Sequence, residues 1–97
     1  MSKAELFGIF LELREHLRAI ETANGHADLL SMILLEARET VVKIQPDMFI
    51  QPSEAEECKY VLLTAIDQVS FEKLHPQLAT VTFIKAVSAL MKNVNVK

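Results

Sequence analysis

The sequence predicts an all-α fold: a single domain at residues 1–97, built as a bundle of four helices. Apolar residues recur at helical spacing in four segments, residues typical of helix ends separate these segments, and only two glycines and three prolines interrupt the chain. Short connections after the first and third segments favour an up-down-up-down order. Because a longer connection at 45–52 joins the second and third segments, a dimer that exchanges helix pairs is the structural alternative.

The first predicted helix covers residues 3–22. Ser2 and Glu5 have the spacing of a capping box at its start, and Asn24 with Gly25 provides a stop signal after its end. One continuous apolar face is expected to enter the core. It consists of Leu6, Ile9, Phe10, Leu13, Leu17 and Ile20.

The second predicted helix covers residues 26–44 and is bounded by Pro46. Its main apolar face is expected to pack in the core as well. This face consists of Leu30, Ile33, Leu34, Ala37, Val41 and Ile44.

The connection after the second helix is apolar at its centre, where Met48, Phe49 and Ile50 follow one another. Exposed loops seldom contain three such residues in a row. We expect them to fold back and close one end of the bundle. The alternative is that they anchor a partner, since Met and Phe are enriched at the centres of interfaces.

The third predicted helix covers residues 53–69. Ser53 and Glu56 have capping-box spacing, and Glu54 and Glu57 place negative charge near the helix start. These carboxylates oppose formation of a thiolate at Cys58, which is therefore expected to be a core residue and not a nucleophile. The apolar face consists of Cys58, Val61, Leu62, Ala65 and Val69.

The fourth predicted helix covers residues 76–93, and Pro76 suits its first position. Lys85 is its only charge between Pro76 and Met91, a composition typical of helices that are central or lie at an interface. The expected core face consists of Phe83, Ile84, Val87, Leu90, Met91 and Val94.

The first two helices carry a second apolar face, which is more apolar surface than one small core needs. Phe7 and Leu11 lie opposite the core face of the first helix, and Met32, Leu35 and Val42 lie away from that of the second. We predict that these five residues bind a protein partner, most simply a second copy in a homodimer. The alternative is that the second helix is central and other helices cover it on several sides.

No pattern for catalysis, cofactor binding or metal binding is evident, so no enzyme activity, small-molecule substrate or cofactor is expected. Glu72 and His75 match half of a metal-binding element, but Pro76 places them in a loop and no second copy exists. His16 lies at the edge of the first apolar face and is expected to be a half-buried packing residue.

Charge and cysteine content narrow the functional classes further. The net charge of −3 gives no overall attraction for nucleic acid, and no apolar run is long enough to span a membrane. A single cysteine, together with the absence of a recognisable signal peptide, favours the cytoplasm. We therefore expect a small non-enzymatic interaction module: a homodimer, or an adaptor, inhibitor or chaperone-like subunit of a larger assembly.

The alternative function is a small regulator that contacts nucleic acid through its C-terminal helix. Residues 75–97 contain Lys85, Lys92 and Lys97 and no acidic residue. Three lysines over this length are sparse for a phosphate-binding surface, and the helix contains no arginine. Nucleic acid is therefore the less favoured partner.

Overall fold

The computed structural model describes residues 2–94 and contains four α-helices connected by short segments. No β-strand occurs within these residues, which confirms the predicted all-α four-helix bundle. The elements are α1 (Lys3–Thr22), α2 (Ala27–Val42), a short 3-10 helix (Pro46–Met48), α3 (Pro52–Ser70) and α4 (Pro76–Lys92).

The first helix begins and ends where the sequence predicts. The Ser2 Oγ accepts a hydrogen bond from the backbone N–H of Glu5 at 3.1 Å, which satisfies one of the free donors in the first turn. Asn24 and Gly25 adopt left-handed conformations, with φ of 51° and 79°. A left-handed Asn-Gly pair turns the chain sharply, so α2 can return along α1.

The predicted cap of α3 was wrong. The N-cap residue is Gln51, and Pro52 occupies the first turn, so Ser53 lies inside the helix and does not cap it. The fixed φ of proline suits the first helical position, and its missing N–H would have had no partner there. The helix therefore starts earlier than the Ser53 and Glu56 spacing indicates.

Two contacts at opposite ends of α4 establish the order of the helices. The Gln77 side-chain amide donates to the backbone carbonyl of Gly25 at 2.8 Å, which places the start of α4 beside the α1–α2 turn. The side chain of Asn93 bonds to Gln51, which places the end of α4 beside the start of α3. The four helices thus run up, down, up and down within one chain.

Helix α2 lies at the centre of the bundle and packs against α1, α3 and α4. One hydrophobic cluster contains buried residues of all four helices. Its largest fully buried side chains are Phe83, Leu13, Leu34, Ile44, Leu62, Ile66, Leu90, Val41 and Val87.

The predicted core faces of α1 and α2 are confirmed, whereas those of α3 and α4 need correction. Ala55 and Ile66 of α3 are fully buried although the predicted stripe omits them, and Ile84 of α4 is exposed although the predicted stripe includes it. Ile84 follows Phe83, and one residue turns a helix by about 100°. Because Phe83 is directed to the centre of the core, Ile84 lies on the flank of α4.

The connection between α2 and α3 closes one end of the bundle through Phe49, as predicted. Phe49 is buried and its ring meets that of Phe10 edge to face, with centroids 6.1 Å apart. Met48 is partly buried against the same cluster. The prediction was wrong for Ile50, which is 57% exposed. Phe49 has an extended backbone, in which consecutive side chains point in opposite directions.

Asn93 holds this connection against the end of α4. Its Oδ1 accepts the backbone N–H of Gln51 and its Nδ2 donates to the Gln51 carbonyl, both at 2.9 Å. The Asn93 carbonyl also accepts the N–H of Ile50 at 3.0 Å. Asn93 is itself buried, so these bonds replace those that its side chain would otherwise make with water.

Replacing Asn93 with alanine is expected to lower the free energy of unfolding by about 1–2 kcal/mol, because both side-chain hydrogen bonds to Gln51 are lost. Urea unfolding followed by circular dichroism measures the change. Gln68→Ala, at an exposed position of α3, is the control and should change stability by less than about 0.5 kcal/mol. Equal effects of the two substitutions would show that the Asn93 clamp contributes nothing.

Candidate interaction surface

The five residues predicted to bind a partner are all exposed, and other helices of the chain do not cover them. Phe7 is 64% exposed and Met32 is 58% exposed, and Leu11, Leu35 and Val42 are each 44–45% exposed. The central position of α2 therefore does not account for its second apolar face. Partner binding by these residues stays a prediction.

On α1, the two exposed apolar residues belong to a stripe that is otherwise basic. The stripe follows the outside of the helix at intervals of three and four residues, so its members lie on one side. All of its residues are exposed, and none is acidic. This basic stripe consists of Lys3, Phe7, Leu11, Arg14 and Arg18.

On α2, the three exposed apolar residues belong to a stripe that is otherwise acidic. The intervals are again four and three residues, and every member is exposed. None of its residues is basic. This acidic stripe consists of Asp28, Met32, Leu35, Glu39 and Val42.

The two stripes lie on different faces of the bundle. His16 Nε2 is 3.1 Å from Thr40 Oγ1, so the His16 side of α1 is the side that meets α2. Phe7 precedes His16 by nine residues, or about two and a half turns, and therefore lies on the opposite side of α1. The structure thus separates Phe7 and Leu11 from the α2 residues, and the five do not form one continuous surface.

The outer face of α2 is defined by contacts on both its flanks. Thr40 meets α1, and Arg38 forms an ion pair with Asp67 of α3 at 3.0 Å. The acidic stripe occupies the arc between these flanks on the side away from the core. It is therefore open along its whole length.

Several charges in the stripes have no partner within the described part of the chain. The three ion pairs found in residues 2–94 are Arg18 with Glu15, Arg38 with Asp67, and Lys43 with Glu12. Lys3 and Arg14 of the basic stripe, and Asp28 and Glu39 of the acidic stripe, take part in none of them. Exposed pairs such as Arg18 with Glu15 stabilise little and exchange partners readily.

Helix α4 adds exposed apolar residues that the sequence did not single out as partner-binding. Leu78, Val81 and Ile84 are all at least 44% exposed. Lys85 and Lys92 are exposed on the same helix, as the nucleic-acid alternative requires, whereas Lys97 lies outside the described residues. The mainly apolar composition of α4 indicated such a surface. The sequence prediction nevertheless assigned Ile84 to the core and so left it out of this surface.

Cys58 lies in a setting that suppresses its reactivity. Burial raises the pKa of the Cys58 thiol, and the charges of Glu57 and Glu54 raise it further. The side chain is partly buried against the core, as the sequence predicts. The position of Cys58 is thus one of packing, in which its thiolate is disfavoured.

Two of the histidines, His16 and His75, make hydrogen bonds within the bundle. His16 is half-buried beside Thr40, as expected, and His75 Nδ1 accepts the backbone N–H of Gln77 at the start of α4. In residues 2–94 no three His, Cys, Asp or Glu side chains are grouped closely enough to hold a metal ion. An open groove lies between α1 and the end of α2, beside the Lys43 and Glu12 ion pair.

Comparisons with known proteins add no assignment. No protein-family model matches this chain, and no significant match is found among curated proteins or solved structures. Within the described residues, each helix is too short or too polar to cross a lipid bilayer.

The rate at which Cys58 reacts with iodoacetamide is expected to rise with pH around a midpoint above that of free cysteine, because its thiolate is disfavoured. Mass spectrometry of samples quenched after fixed reaction times, at a series of pH values, measures this rate profile. Replacing Glu54 and Glu57 with glutamine should move the midpoint to lower pH. A midpoint at or below that of free cysteine would contradict the described setting.

Proposed function

We propose that this protein is a small non-enzymatic interaction module that binds protein partners through the exposed apolar residues of α1 and α2. The observation that carries the proposal is the exposure of Phe7, Leu11, Met32, Leu35 and Val42 in a chain whose core is already closed. Burying one such side chain stabilises a complex by about 1.5–3 kcal/mol before the costs of association. Two of these side chains lie on the outer face of α1 and three on that of α2, so each face offers apolar area for a contact.

The composition of the stripes supports an interface more than a solvated surface. Phe, Met and Arg are enriched where proteins meet, and apolar residues at the centre with charged residues at the edge are typical. Phe7 and Leu11 are flanked by Lys3 and Arg14, and Met32 and Leu35 by Asp28 and Glu39. Each stripe therefore has an apolar centre with charges at or near its ends.

The partner we favour is a second copy of the chain. The alternative is a different subunit of a larger assembly, in which this protein acts as an adaptor, inhibitor or chaperone. Association adds buried surface, and this matters more for a chain of 97 residues than for a larger one, because small domains bury a smaller share of their surface on folding. A single partly buried cysteine is compatible with the reducing cytoplasm, which we propose as its compartment.

Serine in place of both Phe7 and Leu11 is expected to weaken association while the helical content stays largely unchanged, because both side chains are exposed. Light scattering after size exclusion measures the mass, and circular dichroism the helices. Tyr60→Ser, at an exposed aromatic residue of α3, is the matched control and should leave association intact. An unfolded double variant, or one that associates normally, would contradict the interface.

A nucleic-acid regulator is the second proposal, and it depends on the exposure of Lys85 and Lys92 on α4. It requires binding to a random DNA duplex that weakens steeply with added salt, since phosphate contacts release counterions. Replacing both lysines with alanine should reduce both the affinity and the salt dependence. The net charge of −3 disfavours such binding, and an absence of binding even at low salt would exclude this proposal. Titration monitored by fluorescence anisotropy distinguishes these outcomes.

A further inference from the structure

The basic and acidic stripes match each other in order as well as in charge. Read in the same direction, Lys3 faces Asp28 and Arg14 faces Glu39. Read in the opposite direction, Lys3 faces Glu39 and Arg14 faces Asp28. Both alignments therefore pair unlike charges with one another and apolar side chains with one another.

The apolar centres of the two stripes also coincide in both alignments. Phe7 and Leu11 come opposite Met32 and Leu35 in the parallel one, and opposite Leu35 and Met32 in the antiparallel one. Both stripes extend for about 21–23 Å along their helices at 1.5 Å per residue. A contact along this length would bury an apolar strip bounded by complementary charges, the arrangement found in paired amphipathic helices.

The two stripes cannot meet within one molecule. In one chain the basic stripe lies on the side of α1 away from α2. The complementary partner of each stripe is therefore the other stripe of a different copy.

We infer that the acidic stripe of one copy binds to the basic stripe of a second copy, so that the molecules associate head to tail. This rests on the proposed function and specifies its partner. Because the stripes lie on different faces, the contact is heterologous: each bound molecule still offers one unused stripe. Repetition of the contact builds assemblies larger than a dimer, either closed rings or open chains.

Two variants that each lose one stripe test this arrangement. Phe7→Ser with Leu11→Ser removes the basic stripe's apolar centre, and Met32→Ser with Leu35→Ser removes that of the acidic stripe. Light scattering should show that the unaltered protein increases in mass with concentration above 10.9 kDa. Each variant alone should stay a monomer, and an equimolar mixture should form a one-to-one heterodimer, since one intact stripe of each kind remains.

Other results would overturn the inference in distinguishable ways. If one variant still dimerises alone and the mixture forms no heterodimer, the contact is a symmetric one between identical stripes. If the unaltered protein is a monomer at every concentration, self-association is excluded. The proposed function would then be tested separately, by photo-crosslinking at position 7 or 32 in the host cell, with position 60 as the control.

Charge reversal tests the pairing of the stripes and shows its direction. Arg14→Glu and Glu39→Arg are each expected to weaken association by about tenfold. Adding Glu39→Arg to Arg14→Glu should restore association in a parallel contact, and adding Asp28→Arg should restore it in an antiparallel one. The control combines Arg14→Glu with Glu56→Arg, at an exposed residue of α3, and should not restore association. Restoration by neither Glu39→Arg nor Asp28→Arg would overturn the pairing of the two stripes.

Discussion

The burial of one narrow side of α2 determines what the rest of the molecule presents to solvent. Leu34, Ala37 and Val41 are almost completely buried and allow three other helices to approach α2. Three neighbours around one side leave the opposite side open, and that side carries Met32, Leu35 and Val42. The same packing that forms the core therefore leaves an apolar surface without a cover, and the interaction proposal follows from it.

The ends of the bundle are held by a few polar contacts that keep this surface in place. Asn93 joins α4 to the start of α3, and Gln77 joins α4 to the α1–α2 turn. Lys59 donates to the carbonyls of Val42 and Ile44, where α2 ends and its acceptors have no helical partner. These contacts fix the length and direction of α2, and so the spacing of charges along its outer stripe.

Sequence periodicity was sufficient to predict the four helices and their order. It was also sufficient to predict the core faces of α1 and α2, since each of these two helices has one dominant apolar side. It was insufficient where neighbouring apolar residues compete, as at Phe83 and Ile84, because packing decides which one enters the core. It also could not show that Phe7 and Leu11 lie on a different face from Met32. That separation depends on the contact of His16 with Thr40, which only the folded chain contains.

The most direct test of head-to-tail association is a photo-crosslinking amino acid in place of Leu35, in an equal mixture of protein with normal and heavy nitrogen. Mass spectrometry identifies which peptide of a second copy is captured. Pairing of the acidic with the basic stripe predicts capture of the α1 peptide that contains Phe7 and Leu11, in mixed-isotope products. Capture of the α2 peptide around Leu35, or no product between copies, would contradict it.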